Sequence, residues 1–316
     1  MSFGAYLARR TGGLLLVLLV TSFIVFGLLY LAPGSPLAFI LGPRGGTTEQ
    51  IAAVTAQYHL NDPFFVRYVA WLGDLLRGDL GYSIVYRQDV SALISGRIGT
   101  TLALVAMAAL LIAVVGIAAG TFAALRGGWS DQLTSTLAAI GLSTPSFVIG
   151  VALISVFAVG LGWFPTFGSG GGGMDTLVHL ALPAVALSVA SAAYLARITR
   201  ASVLEERGRE HVQTATVRGL APGYIVRHHV LRNSLVPIVT VLGLTIATLI
   251  AGAVVVENVF ALDGLGSLLV RAILQRDFAV VQAVILVLVV AFVLVNAVVD
   301  VLYTFIDPRI VLGSRK

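Results

Sequence analysis

Residues 98–125 read IGTTLALVAMAALLIAVVGIAAGTFAAL, 28 positions without a single charge. A helix of that length extends about 42 Å at 1.5 Å per residue, more than the roughly 30 Å of hydrocarbon in a bilayer. In lipid a backbone must satisfy its polar groups internally, and within one segment only a helix does so. Arg126-Gly127-Gly128 ends the run. Similar stretches lie on either side of it: residues 11–32 after Arg9-Arg10, then 133–161, 176–196, 233–256 and 278–299, the last continuing toward Ile306. Residues 132–174 carry no charge at all, but Pro165 and the glycines 170–173 stop any helix there and leave a loop. The pattern specifies an all-α integral membrane protein with six spans.

Composition excludes the alternatives. Of 316 residues 58% are hydrophobic and 11% charged, with a mean hydropathy of +0.98. Soluble domains carry about 25% charged residues, and a disordered chain has far less apolar surface. The chain has no cysteine, which rules out disulfides, thiolate metal sites and cysteine nucleophiles. Its net charge is +5 and its only lysine is Lys316. In so apolar a chain that excess reflects membrane topology and not nucleic-acid binding.

With the amino terminus inside, the inner segments hold 13 of the 20 cations and 6 of the 15 acids. Five of the seven outer cations lie in the long stretch 33–97, where the bias counts less. Both termini are therefore expected in the cytoplasm. A signal peptide is the alternative for the first span, but its apolar run is too long and Leu31-Ala32-Pro33-Gly34 is a poor cleavage site. The chain then divides into residues 1–32 (terminus and first span), 33–97 (outer segment), 98–306 (five-span core with an inner loop at 197–232) and 307–316 (inner tail).

The outer segment has two amphipathic stretches, 49–58 and 63–76, the second opened by Asp62-Pro63 as N-cap and first-turn proline. It caps the outer mouth of the bundle. The inner loop is dense in charge around the small, uncharged run Val212-Gln213-Thr214-Ala215-Thr216-Val217. Residues 205–219 are expected to be helical and to stop at Gly219, with Pro222-Gly223 beyond. Two roles stay open for that loop: an anchor beside anionic lipid, or a helix that docks in another protein.

Several chemistries are missing. A phosphate-binding G-x-x-x-x-G-K-[ST] loop has no lysine to use, and neither H-E-x-x-H nor G-x-S-x-G occurs. His228-His229 are adjacent and point to different helix faces, so no metal site is expected. Polar residues inside spans are candidates for a pathway or gate. These are Ser143-Thr144-Pro145-Ser146, where a kink held by the hydroxyls is the alternative, Glu257 at the outer end of the fifth span, and Asn296 on the sixth. Asp300 shares a face with Asn296 and is expected to pair with an inner arginine. Gly116-x-x-x-Gly120 marks close helix packing. No series of acids crosses the bilayer as a proton relay would, which disfavours an ion-coupled carrier; a self-sufficient channel is a further alternative.

The inner loop resembles the EAA loop of importer permeases in the ATP-binding-cassette (ABC) superfamily. Ala215 and Gly219 fit Glu-Ala-Ala-x-x-x-Gly, while Gln213 and Thr214 depart from it toward the Thr-Ala-x-x-x-Gly-Leu of peptide permeases, matched by Thr214-Ala215 and Gly219-Leu220. Pro33-Gly34-Ser35-Pro36, Gly78-Asp79-Leu80-Gly81-Tyr82-Ser83, Pro145-Ser146-Phe147, Trp163-Phe164-Pro165, Arg276-Asp277 and Asp307-Pro308-Arg309 are similar to further signatures of the B-type permeases of dipeptide and oligopeptide importers. The resemblance covers nearly the whole chain. It implies a type I ABC importer permease fold in a bacterial or archaeal cytoplasmic membrane. It implies as partners a second homologous permease, two ATPase subunits holding ATP and Mg, and an extracytoplasmic substrate-binding protein, with no cofactor or catalytic site in this chain. Glu205, Glu210, Gln213, Thr214, Ala215, Arg218 and Gly219 would couple to an ATPase, with Ala215 and Gly219 forming a small face for close approach. Peptide is the implied cargo; nickel, glutathione, haem or oligosaccharide are the alternatives within the family.

Overall fold

The computed structural model describes residues 3–31, 47–49, 52, 55 and 62–306. Most of the stretch 49–58, the Pro33-Gly34-Ser35-Pro36 and Asp307-Pro308-Arg309 motifs, the tail 307–316 and the side chain of Asp300 lie outside the described residues. In chain order the elements are α1 (Phe3–Leu31), α2 (Phe64–Leu76), β1 (Tyr82–Ser83), β2 (Gln88–Asp89), α3 (Val90–Arg126), α4 (Gly128–Ser143) and α5 (Ser146–Leu153). Then come α6 (Gly173–Arg207), α7 (Glu210–Val217), α8 (Pro222–Ile225), α9 (Arg232–Val259), α10 (Leu265–Gln275) and α11 (Phe278–Ile306). Helix α5 runs on as π-helical turns through Ile154–Gly160, and π-helical turns at Val226–Leu231 join α8 to α9.

Among the described residues four continuous helices are long and apolar enough to cross a membrane: α3, α6, the run Pro222–Val259 and α11. The stretch expected as one span over 133–161 is instead two arms, α4 and α5, that meet at 104°. The cause is local. Thr144 is extended (ψ 121°) and Pro145 cannot donate, so the helix ends at Ser143 and restarts at Ser146. Helix α2 also begins one residue later than expected, with Pro63 in place of Asp62 at the N-cap position.

The chain forms two compact units. In the unit built from Thr100–Asp263 and the stretch after Leu294, α6 is the central helix. Small residues bring its neighbours close: a methyl group built on Gly116 of α3 would lie 2.9 Å from Leu195 Cβ, and one on Gly120 would lie 2.4 Å from the Ala196 carbonyl oxygen. Gly141 of α4 and Gly252 of α9 meet Val189 and Leu187 of α6 in the same way. The Gly116-x-x-x-Gly120 pattern thus serves packing within the chain. Arg200 of α6 and Asp131 of α4 form a two-pronged ion pair, with Nη2 to Oδ2 at 2.6 Å.

The other unit comprises Ser2–Gly99 and Gly264–Val293. Its apolar core joins Val90, Leu93 and Ile94 of α3 to Leu265, Leu268 and Ala272 of α10 and to Val280, Ala283 and Val284 of α11. Two motifs far apart in sequence meet here. The buried Ser83 hydroxyl donates to Asp277 Oδ2 and accepts from the Tyr86 amide at 2.9 Å. Asp277 in turn receives the Val280 amide in the first turn of α11. The Gly78–Ser83 and Arg276-Asp277 signatures are thus two halves of one buried contact.

Candidate coupling site

The charged loop 197–232 folds into an elbow on the ends of long helices. Helix α6 continues to Arg207, breaks at Gly208-Arg209, and α7 follows. The helix expected over 205–219 is therefore shorter. Glu205 sits on the last turn of α6, where its exposed carboxylate accepts from Arg209 Nη2 at 2.9 Å. That bond, with the charges of Glu206 and Glu205, raises the Arg209 pKa above its ordinary value. Both partners are exposed, so solvent screens the pair and it adds little to stability.

Glu206 matters more to the architecture. Its side chain is only 9% exposed, and it takes Arg209 Nε at 3.1 Å, His211 Nε2 at 3.2 Å and Asn233 Nδ2 at 3.0 Å. One buried carboxylate thus ties together the end of α6, the turn, the start of α7 and the start of α9. Buried charges persist only when paired in this way. Arg207 Nη1 donates to the Ala124 carbonyl at 2.7 Å, which satisfies an open acceptor in the last turn of α3. Sequence inspection did not single out Glu206, because Glu205-Glu206 gives no sign of which carboxylate faces inward.

Val212 and Ala215 of α7 are buried against Ala124, Val203, Ile225 and Val230. Ala215 is therefore small for the sake of its own chain: it seats α7 on the spans. The Ala-x-x-x-Gly-Leu spacing also has a mechanical meaning. The Leu220 amide donates to the Ala215 carbonyl (3.3 Å) and the Gly219 amide to the Thr216 carbonyl (3.0 Å), with Gly219 at φ +76°. This is a Schellman stop, which requires a left-handed residue just past the helix end, a conformation that glycine adopts without a Cβ penalty. Gly219 terminates α7, and a side chain there would meet no neighbour but would strain the turn.

The remaining candidates face outward. Glu210, Gln213, Thr214 and Arg218 are exposed, with Gln213 Nε2 donating back to the Gly208 carbonyl. Beside them Val217 is 88% exposed, and Leu220 and Tyr224 are exposed too. These three residues lie on α7, on the turn after it and on α8, at the tip of the elbow. The sequence marks Val217 only as the end of the small run 212–217 and not as a coupling residue, although it lies off the helical face that Val212 and Ala215 share, which is the signal for an outward position.

The pathway candidates have local partners of their own. Ser143 Oγ and Thr144 Oγ1 donate back to the carbonyls of Ala139 (2.9 Å) and Ile140 (2.8 Å), one turn earlier at the end of α4. Both hydroxyls hold the kink. Ser146 opens α5 behind Pro145. Glu257 is fully buried on α9 and accepts from Thr101 Oγ1 of α3 at 2.6 Å, so it fastens two helices. Asn296 is half-buried on α11. A groove of about 430 Å³ opens elsewhere in the same unit as Glu257, lined by Leu142, Ser191, Tyr194, Leu244, Thr245 and Thr248. Its hydroxyls sit in uncharged spans, and isolated Ser, Thr and Tyr in an apolar run give little sequence signal.

The described residues thus form apolar, membrane-length helices that carry a charge-laced elbow with an exposed tip. Residues 116–312 match the family model described as "Binding-protein-dependent transport system inner membrane component", and residues 4–105 match its N-terminal companion. The chain belongs to this family of permeases. It is 40% identical over 311 residues (97% of this chain, 99% of the relative) to a probable peptide ABC transporter permease protein, y4tP, of Sinorhizobium fredii (strain NBRC 101917 / NGR234). It is 39% identical over 306 residues (96% and 98%) to the glutathione transport system permease protein GsiC of Escherichia coli (strain K12). Among solved structures, the inward-facing MetNI methionine ABC transporter aligns with a TM-score of 0.58 at 22% identity, covering 68% of this chain and 96% of that one. An amino acid ABC transporter crystallised with histidines gives 0.53 at 17%, covering 67% and 94%. The fold is that of ABC importer permeases.

Proposed function

We propose that the chain is the transmembrane permease subunit of an ATP-driven, binding-protein-dependent importer of peptides, small ones such as glutathione included. The observation that carries this reading is the elbow: α7 is bolted to α3, α6 and α9 by Glu206, Arg207 and the Val212–Ala215 cluster, yet presents Val217, Leu220 and Tyr224 to the surroundings. A helix held this firmly transmits force to the spans. An ATPase subunit takes the exposed tip in its groove, and closure of two such subunits around ATP and Mg tilts α6 and its neighbours. The helix α1 is the sixth crossing, both termini are cytoplasmic, and the membrane is the bacterial or archaeal cytoplasmic membrane. A second homologous permease completes the pathway, and the hydroxyl-lined groove faces it. The β1–β2 hairpin, with Tyr82, Ile84 and Val85 exposed, lies on the side where an extracytoplasmic binding protein delivers cargo.

The test is affinity purification in mild detergent followed by reconstitution. The ATPases and the second permease are expected to co-purify, and ATP hydrolysis to rise on adding the binding protein with peptide. Flux through this chain alone, without ATPases, would instead identify a channel or carrier.

A further inference from the structure

Helix α2 has two apolar faces, one packed on α1 and the other largely exposed. Phe64, Tyr68 and Trp71 pack on α1: Phe23 and Phe26 lie 5.3 and 5.6 Å from the Tyr68 ring, Trp71 lies 5.2 Å from Phe26, and the Tyr68 hydroxyl reaches Ser22 Oγ at 2.9 Å. About 100° around the helix runs a second stripe, Phe65, Val69 and Leu76, which is 69%, 66% and 81% exposed. Opposite that stripe stand Arg67 and Asp74. A helix that is charged on one side and apolar on the other two is built for a boundary between water and oil.

Depth and continuity say which boundary. Phe23 and Phe26 precede the α1 end at Leu31 by eight and five residues, about 12 and 8 Å of helix. Counted from Leu31, this is close to the roughly 5–10 Å by which an amphipathic helix in a membrane interface sinks its apolar face below the headgroups. Leu16, Leu19, Val20 and Phe23 form an exposed apolar strip along α1, and the Phe65 ring stacks on Phe23 with centroids 6.3 Å apart. The exposed stripe of α2 therefore continues the exposed apolar strip of α1. Tyr68 and Trp71, the aromatic types enriched at membrane interfaces, sit in the same helix.

We propose that α2 lies in the plane of the membrane, with Phe65, Val69 and Leu76 immersed in acyl chains of the leaflet at the carboxyl end of α1 and Arg67 and Asp74 toward the headgroups. It braces α1 against the bilayer. This goes beyond the importer reading and does not depend on the cargo.

Because the chain lacks cysteine, single labels are unambiguous. Nitroxides are placed on Val69→Cys, Leu76→Cys and Asp74→Cys in the assembled transporter, reconstituted in phosphatidylcholine–phosphatidylglycerol vesicles. Collisions with oxygen, which partitions into lipid, are compared with collisions with a water-soluble nickel chelate. At Val69 and Leu76 oxygen is expected to exceed the chelate several-fold, and at Asp74 the order reverses. Chelate dominating at Val69 would place the stripe in water. An immobilised label shielded from both colliders would show another subunit covering it. Either result overturns the proposal.

Discussion

Replacing Val217 with lysine is expected to release the ATPase subunits during purification and to lower transport at least tenfold, while the permease itself inserts and folds normally. Val217 is the most exposed side chain of the elbow's apolar tip and is not part of the cluster that seats α7. A cation in the last turn of a helix is favourable toward the carbonyl end of its dipole, so α7 loses nothing by the change. In a docked groove the same ammonium group is stripped of water without a built partner, which costs several kcal/mol. Each 1.4 kcal/mol is a factor of ten in affinity, so even partial desolvation is decisive. The measurement is the ratio of ATPase to permease after affinity capture, with permease yield as the folding control. Retention of the ATPases at the wild-type ratio would remove the tip from the interface.

The second large effect is expected at the crossing of α3 and α6. Gly120→Ala adds one methyl group, which would lie 2.4 Å from the Ala196 carbonyl oxygen, 2.6 Å from Thr199 Cβ and 3.0 Å from the Arg200 amide nitrogen. Two of these are backbone atoms and cannot rotate away, so the helices must part. Overpacking of this kind costs about 1–3 kcal/mol, against a gain of up to about 1 kcal/mol from replacing glycine in a helix. Clash wins, and the melting temperature falls. The same exchange at Gly99, also on α3, meets nothing within 4 Å and is expected to leave stability unchanged or raise it. Thermal melting of the two variants side by side in detergent separates the effects. Parting α3 from α6 also loosens the Arg207 contact with the Ala124 carbonyl, so the elbow should suffer with the crossing.

The spanning helices were legible because lipid leaves so few options. A charge-free run such as 98–125 has to be a helix, and it is one, although α3 starts earlier, at Val90. The Gly116-x-x-x-Gly120 spacing announced a close crossing and gave it. Boundaries were harder where charges crowd together. Residues 205–219 look continuous in sequence, and only the geometry around Glu206 reveals that α6 ends at Arg207 and that Glu205 belongs to it. The direction in which small residues face was also hidden. Ala215 invites a partner, yet its methyl group is buried against the chain's own helices, while the conspicuous outward residue is Val217. Pro145 signalled a kink and its hydroxyl supports, but not that the two arms would diverge by 104°. Contacts such as Ser83 with Asp277 join residues 194 positions apart, a pairing that no local pattern encodes.

All of the mechanism rests on the tip of α7 being gripped by an ATPase on the cytoplasmic side. A single Val217→Cys in this cysteine-free chain, carrying a short thiol-attached photoreactive cross-linker that inserts into any neighbouring side chain on illumination, in membranes that contain the whole transporter, addresses that contact directly. An adduct between permease and ATPase is the expected result, together with protection of the thiol from an impermeant maleimide added outside intact cells. Labelling from outside, or no adduct to any ATPase subunit, would contradict it.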